Sequence, residues 1–205
     1  MNIISSIRQN SIGLGLFAVL TAGLIALTHQ LTEHTIEDNI VHAQLSAFNE
    51  ILPSDRYDNN LAEANIMLPA DPLLGSAEPV PAFVARKDGE VSAIIFETIA
   101  PGGYNGNLDL LVAVDRNGVV TGSRVISHKE TPGLGDKVDL QKSKWILSFS
   151  DKSFENTTMK QWNVKKDGGQ FDQFTGATIT PRAVVRAVKN TLLYFNENKD
   201  ALLSR

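Results

Sequence analysis

Hydroxyl side chains crowd the segment Asp172-Gln173-Phe174-Thr175-Gly176-Ala177-Thr178-Ile179-Thr180, which runs straight into Pro181 and Arg182. Gly176 and Ala177 leave room beside Thr178, and a hydroxyl followed by proline is a helix-start signal, with Thr180 as the N-cap. A helix start presents unpaired amides and the positive end of the helix dipole, so the chemistry this turn suits is the holding of an anion, above all phosphate. Arg182 on the first turn would add a charge-assisted contact. The plainer alternative is that Thr175 and Thr178 serve turn hydrogen bonds. Upstream, His128-Lys129-Glu130-Thr131-Pro132-Gly133-Leu134-Gly135 reads as a strand end entering a Pro-Gly turn whose backbone can approach a flat ligand. His128 could exchange protons near neutral pH, but orienting this loop is its expected role. Tyr104 and Trp145 are aromatic enough to stack on a ligand, although core filling is the expectation for both.

These residues need a scaffold. The chain has 205 residues, no cysteine and a formal charge of -4. One ordinary core with an appendage fits that length, thiol and disulfide chemistry are excluded, and nucleic acid is not an expected partner. His29, His34, His42 and His128 show no metal-ligand spacing. Between Gln9 and Thr32 there is no Asp, Glu, Lys or Arg, which predicts a transmembrane helix. Arg8 precedes it, and Glu33, Glu37 and Asp38 follow, which sets the N-terminus in the cytoplasm and the rest outside. Thr32 is expected to cap a second, amphipathic helix burying Ile36, Ile40, Val41, Leu45, Phe48 and Leu52, with Pro53 as its end. His34 and His42 are expected on its solvated side.

Asp55–Pro81 reads as connection. Ala82–Lys87 and Val91–Thr98 flank Asp88-Gly89, and Leu108–Val114 and Val119–His128 flank Asn117-Gly118, predicting two hairpins and a mainly antiparallel sheet. Pro101–Gly106, rich in glycine, reads as a turn between them that could also admit a ligand. A helix is expected over Asp139–Phe149, a further strand at Trp162–Lys165, and a final helix to about Lys199 that buries Val184, Val185, Val188, Leu192 and Phe195. Strands followed by packing helices make the fold class α+β. The expected division is 1–32 for the cytoplasmic N-terminus and anchor, 33–99 for amphipathic helix, connector and first hairpin, and 100–205 for the remaining domain.

Asp172-x-x-Thr175-Gly176-Ala177-Thr178 resembles the D-x-x-(S/T)-G-A-T flavinylation motif of the FMN-binding domain family, which occurs in the G subunit of Rnf electron-transport complexes and the C subunit of sodium-pumping NADH:quinone reductases. His128–Gly135 resembles the H-x-E-T-P-G-L-G stretch at the corresponding place in that family. The resemblance implies FMN joined by a phosphoester to Thr178, installed by a flavin transferase that uses FAD and releases AMP. It makes Asp172, Thr175, Gly176 and Ala177 the motif around the acceptor, with threonine at 175 where serine is commoner. It also assigns Glu130, Thr131, Gly133, Leu134 and Gly135 to the flavin site. The implied role is a redox subunit without a complete active site of its own, in the bacterial inner membrane with its C-terminal domain in the periplasm. Its implied partners are the other members of an Rnf-type complex, which links ferredoxin and NAD to ion transport, and the lipid bilayer. No G-x-G-x-x-G follows a strand, so nicotinamide is not expected to bind here. The C subunit of the quinone reductase, a reducing system for a transcription factor, and a non-redox extracytoplasmic assembly module remain alternatives. The brief region between anchor and flavin domain favours the Rnf type.

Overall fold

Strands β3 (Glu90–Gly103) and β4 (Gly106–Asp115) are apolar at nearly every buried position, the pattern of strands covered on both faces. The computed structural model describes the backbone of Ile3–Ser204 and the side chains of residues 11–32 and 46–204. Residues 1–44 form one compact unit and 45–205 another.

Helix α1 (Ile3–Ile51) begins in the first unit and contains there Ser11–Thr32, a 22-residue stretch long and apolar enough to cross a bilayer. At about 1.5 Å per residue it covers roughly 33 Å, against about 30 Å of hydrocarbon. Leu14, Phe17 and Leu24 are exposed along it. The hydroxyls of Thr21 and Thr28 donate to carbonyls four residues back, which leaves neither hydroxyl for lipid to solvate. Thr32 does the same, to Thr28, and is not an N-cap: the helix simply continues, because no glycine or proline interrupts residues 24–52. His34, His42, Ile36, Ile40, Val41 and Leu45 lie outside the residues whose side chains are described, as do Arg8 and the acids that follow the span.

The second unit is built on a five-stranded antiparallel sheet in the order β1 (Asn65–Leu68), β2 (Val80–Lys87), β3, β4 and β5 (Val120–Ser127). Asp88 and Gly89, both at positive φ, close the β2–β3 hairpin as expected. Alternate residues feed two cores. Ile94, Phe96, Leu110 and Val112 pack with Val184, Val188, Leu192 and Phe195 of α2 (Ile179–Glu197), whereas Ala93, Ile95, Leu111 and Ala113 pack with Phe48, Ile51 and Leu52. A short α3 (Lys199–Leu203) follows α2. The α1 end is fastened by β5: Arg124 pairs with Glu50 at 2.8 Å and donates to its carbonyl, and Thr121 donates to the Ile51 carbonyl. Those donors satisfy carbonyls a helix C-terminus leaves open, and Pro53 prevents continuation.

Four expectations are corrected. The Asp55–Pro81 stretch is not all connection, since it holds β1 and a 3-10 turn at Pro72–Leu74 capped by Asp71. Pro101–Gly106 is the tip of a third hairpin, with Gly103 paired to Gly106, so the sheet is a continuous meander that runs across residue 100. Residues 139–149 form turns and a 3-10 helix (Lys144–Phe149) rather than an α-helix. Trp162–Lys165 is no sheet strand; a single bridge from Val164 to Phe171 and a 3-10 turn wrap an aromatic cluster of Phe149, Trp162 and Phe171.

Glu97 is half-buried on the α1-facing side of β3, diagonal to Asp109 on β4. Burial first, and the Asp109 charge second, raise its pKa above the ordinary 4.5. A raised carboxyl contributes stability that is complete below 4.5 and is lost as pH rises through the folded value. Glu97→Gln is therefore expected to melt higher than the parent near neutral pH, with the gain vanishing in acid; equal gains at both pH values would count against this account.

Candidate functional site

A cleft of about 360 Å³ opens where three segments meet: the β3–β4 tip, the loop after β5 and the start of α2. That size is within the range of about 300–1,000 Å³ usual for small-molecule sites. Tyr104 comes from the tip; Glu130, Thr131, Leu134 and Gly135 come from the loop; Gly176, Ala177, Thr178, Ile179 and Thr180 come from the turn and helix start.

The turn is set by its own sequence. Ala177 N–H donates to the Phe174 carbonyl at 3.2 Å, and Gly176 takes a φ of 83° that a side chain would resist. A Cβ at Gly176 would stand 3.3 Å from Leu134 Cδ2, so the turn and the 128–135 loop touch there. Phe174 is buried against Trp145, with ring centroids 5.0 Å apart, and Trp145 Nε1 donates to the Asp172 carbonyl at 2.8 Å. Trp145 is thus core, as expected, and also anchors the turn.

Glu130 ties the three walls together. Its carboxylate is buried and accepts from Asn105 N–H at 3.1 Å and from the Thr180 hydroxyl at 2.5 Å. Asn105 Nδ2 adds a bond to Thr131 Oγ1. Gly135 and Gly103 are needed for this approach, since a Cβ would come within 2.6 Å of Glu130 Oε2 at the first and 2.9 Å of Oε1 at the second. His128 Nδ1 accepts from the Glu130 amide at 3.2 Å, the loop-orienting role expected of it.

Thr178 differs from its neighbours. It precedes α2 with φ -91° and ψ -20°, a helical rather than extended cap geometry, and its side chain makes no cap hydrogen bond. Thr131 and Thr180 also line the cleft, but their hydroxyls are engaged by Asn105 and Glu130. Thr175 is exposed on the turn and outside the lining. Among the described residues, the half-buried Thr178 therefore offers the cleft an uncommitted hydroxyl. The carboxylate in the lining, Glu130, accepts hydrogen bonds on both oxygens, so among the described lining residues no free carboxylate is offered to activate Thr178.

The cleft unites Glu130, Thr131, Leu134, Gly135, Gly176, Ala177 and Thr178. Gly133, Asp172 and Thr175 lie outside its lining. Gly133 is exposed at φ 78° and bends the loop, while Asp172 is exposed and pairs with Lys165 at 2.6 Å. Two expectations about the helix start are corrected. Thr180 lies inside α2, bonded to Glu130, and is not its N-cap. Arg182 does not reach the cleft; it grips Asp167 through bonds of 2.6 and 2.8 Å, which hold that carboxyl below its ordinary pKa. Tyr104, expected in the core, is instead 67% exposed and lines the cleft. Sequence reasoning missed Asn105, Ile179 and Thr180 as site residues. The glycines bracketing Tyr104 and Asn105 were the available signal.

Residues 103–193 match the FMN-binding domain family, and residues 1–51 match the RnfG N-terminal region. The G subunit of the ion-translocating oxidoreductase complex of Shewanella loihica is 50% identical over 98% of this chain and 94% of that protein. The corresponding G subunit from Vibrio parahaemolyticus is 46% identical over 98% of this chain and 95% of that protein, and the one from Vibrio cholerae El Tor is 46% identical over 97% and 95%.

Proposed function

The chain belongs to the family of G subunits of ion-translocating oxidoreductase complexes, and from that premise we propose that it is a tethered electron carrier, with FMN esterified through its phosphate to Thr178. The observation that carries this reading is the free Thr178 hydroxyl, half-buried in the cleft at a helix start. The residues present suit the group: amides at the start of α2 for phosphate, glycine surfaces for close approach, and apolar walls from Leu134 and Ile179 for a flat ring. When bound, FMN supplies one- and two-electron transfer.

Attachment requires an external flavin transferase. The Thr178 oxygen forms the new bond to the phosphorus of the FMN half of FAD, the pyrophosphate bond to AMP breaks, and the hydroxyl proton leaves. With the one lining carboxylate among the described residues, Glu130, already engaged, the transferase is the group that takes that proton. Glu130, Asn105 and Thr180 hold the walls in register, and Trp145 holds the turn. Asp172, Thr175 and Gly133 complete the motifs from outside the lining.

The proposed setting is the bacterial inner membrane, with Ser11–Thr32 as the one span among the described residues and the flavin domain in the periplasm. The partners are the other members of the complex, with ferredoxin and NAD as its terminal redox couples. Near-full-length alignment with G subunits, together with the RnfG N-terminal match, favours this over the quinone-reductase C subunit.

The test is to make the full chain with a flavin transferase, denature it and digest with trypsin. Flavin fluorescence is expected on the peptide 167–182, between cleavage after Lys166 and after Arg182. Flavin released by denaturation would refute the covalent bond. Because Arg182 is held by Asp167 outside the cleft, Arg182→Ala is expected to attach flavin at the parental level; a marked loss on the denaturing gel would restore it to the phosphate site.

A further inference from the structure

Tyr104 is 67% exposed, and its hydroxyl makes no hydrogen bond among the described residues. It occupies a two-residue turn between the paired Gly103 and Gly106, at the mouth of the cleft. Leu134 and Ile179 are 42% and 43% exposed on the other two walls. Each of the three segments that form the cleft thus presents one large apolar side chain to it. Scattered exposed apolar residues are ordinary, but three converging on one cleft make a surface suited to a flat apolar ligand.

The tip is not loosely held. Asn105, next to Tyr104, donates its amide to Glu130 and its side chain to Thr131, and Glu130 is bonded in turn to Thr180. Beneath it, a Cβ at Gly103 would meet the Gly106 carbonyl oxygen at 2.4 Å and Leu108 Cδ1 at 2.5 Å, so the strands are pressed together there. The backbone beside Tyr104 is therefore held relative to both other walls, so only the side-chain torsions of Tyr104 remain to be settled when its ring packs on a ligand. A tyrosine held this way offers an aromatic face at small entropic cost.

We infer that Tyr104 is the side chain that packs on the flavin ring, opposed by Leu134 and Ile179. This rests on the proposal that the cleft holds FMN. An oxidisable phenol against the ring quenches its emission, and the packed ring limits access of small solutes.

The experiment uses the full chain in detergent, made with a flavin transferase, and compares Tyr104→Phe with Tyr104→Ala. Emission and iodide quenching are read from the flavin that the native protein holds, whether or not it survives denaturation. Both substitutions are expected to raise emission several-fold, because both remove the phenol. Iodide quenching should rise only in Tyr104→Ala, since phenylalanine still covers the ring. Unchanged emission and unchanged iodide quenching in Tyr104→Ala would overturn the inference. Failure of the covalent reading shows separately, as flavin lost from the denatured parent. Because Tyr104 is exposed, neither substitution removes a core contact.

Discussion

Thr178→Val, made alongside a flavin transferase, is expected to give a folded chain from which all denaturation-resistant flavin fluorescence has gone. The loss should be complete, since valine has no oxygen to enter the ester. The fold should survive because no cap bond uses the hydroxyl. Replacing a capping threonine normally costs about 1 kcal/mol through the lost bond to a first-turn amide. Here that bond is absent, and valine keeps the shape of threonine. Parent and variant should therefore melt together when both lack flavin, which separates loss of attachment from loss of structure. Fluorescence retained on denatured Thr178→Val would move the ester to another hydroxyl. Thr180 is a poor substitute, being fully buried and bonded to Glu130.

What could be read in the residues was mostly what is local. Asp88-Gly89 carries its turn in its own backbone preference, and the spacing of Val184, Val188, Leu192 and Phe195 carries the buried face of α2. The two site motifs were also legible, and Gly176 against Leu134 is where they meet. What escaped was decided by distant partners. Strand β1 has only four residues and exists because β2 offers it an edge. Trp162 sits on the stacked rings of Phe149 and Phe171 rather than in a strand, because the aromatic cluster outweighs local extended preference. Thr180 looked like a cap, yet its hydroxyl finds a carboxylate fifty residues away. Arg182 looked like a phosphate ligand until the Lys165–Asp167 turn brought Asp167 to it. Tyr104 looked like core because an aromatic in a β-rich stretch usually is; only the pairing of Gly103 with Gly106 turns it outward. In each case a specific polar or steric partner overrides the local signal.

Glu130→Ala is expected to have the largest effect on stability among substitutions in the cleft lining. Glu130 is 6% exposed, and removing its carboxylate leaves the hydroxyl of the fully buried Thr180 and the Asn105 amide without their acceptors. Bonds to a charged group contribute about 1.5–3 kcal/mol each, and an orphaned buried donor costs about 1–3 kcal/mol, so a net loss of roughly 3 kcal/mol follows. For a unit of this size that lowers the melting temperature by about 6–12 °C. Glu130→Gln should cost less than half as much. Its carbonyl can still accept from Asn105, and the Thr180 hydroxyl can rotate to accept from the new amide. Hydrogen exchange locates the effect: the Asn105 amide should lose protection in Glu130→Ala before the β3–β4 ladder does, because the tip is freed while the strands remain paired. A melting temperature for Glu130→Ala within a degree or so of the parent would mean that water replaces the carboxylate without cost. The three walls would then be held by the sheet and α2 alone, and Tyr104 would keep its place without the Asn105 latch.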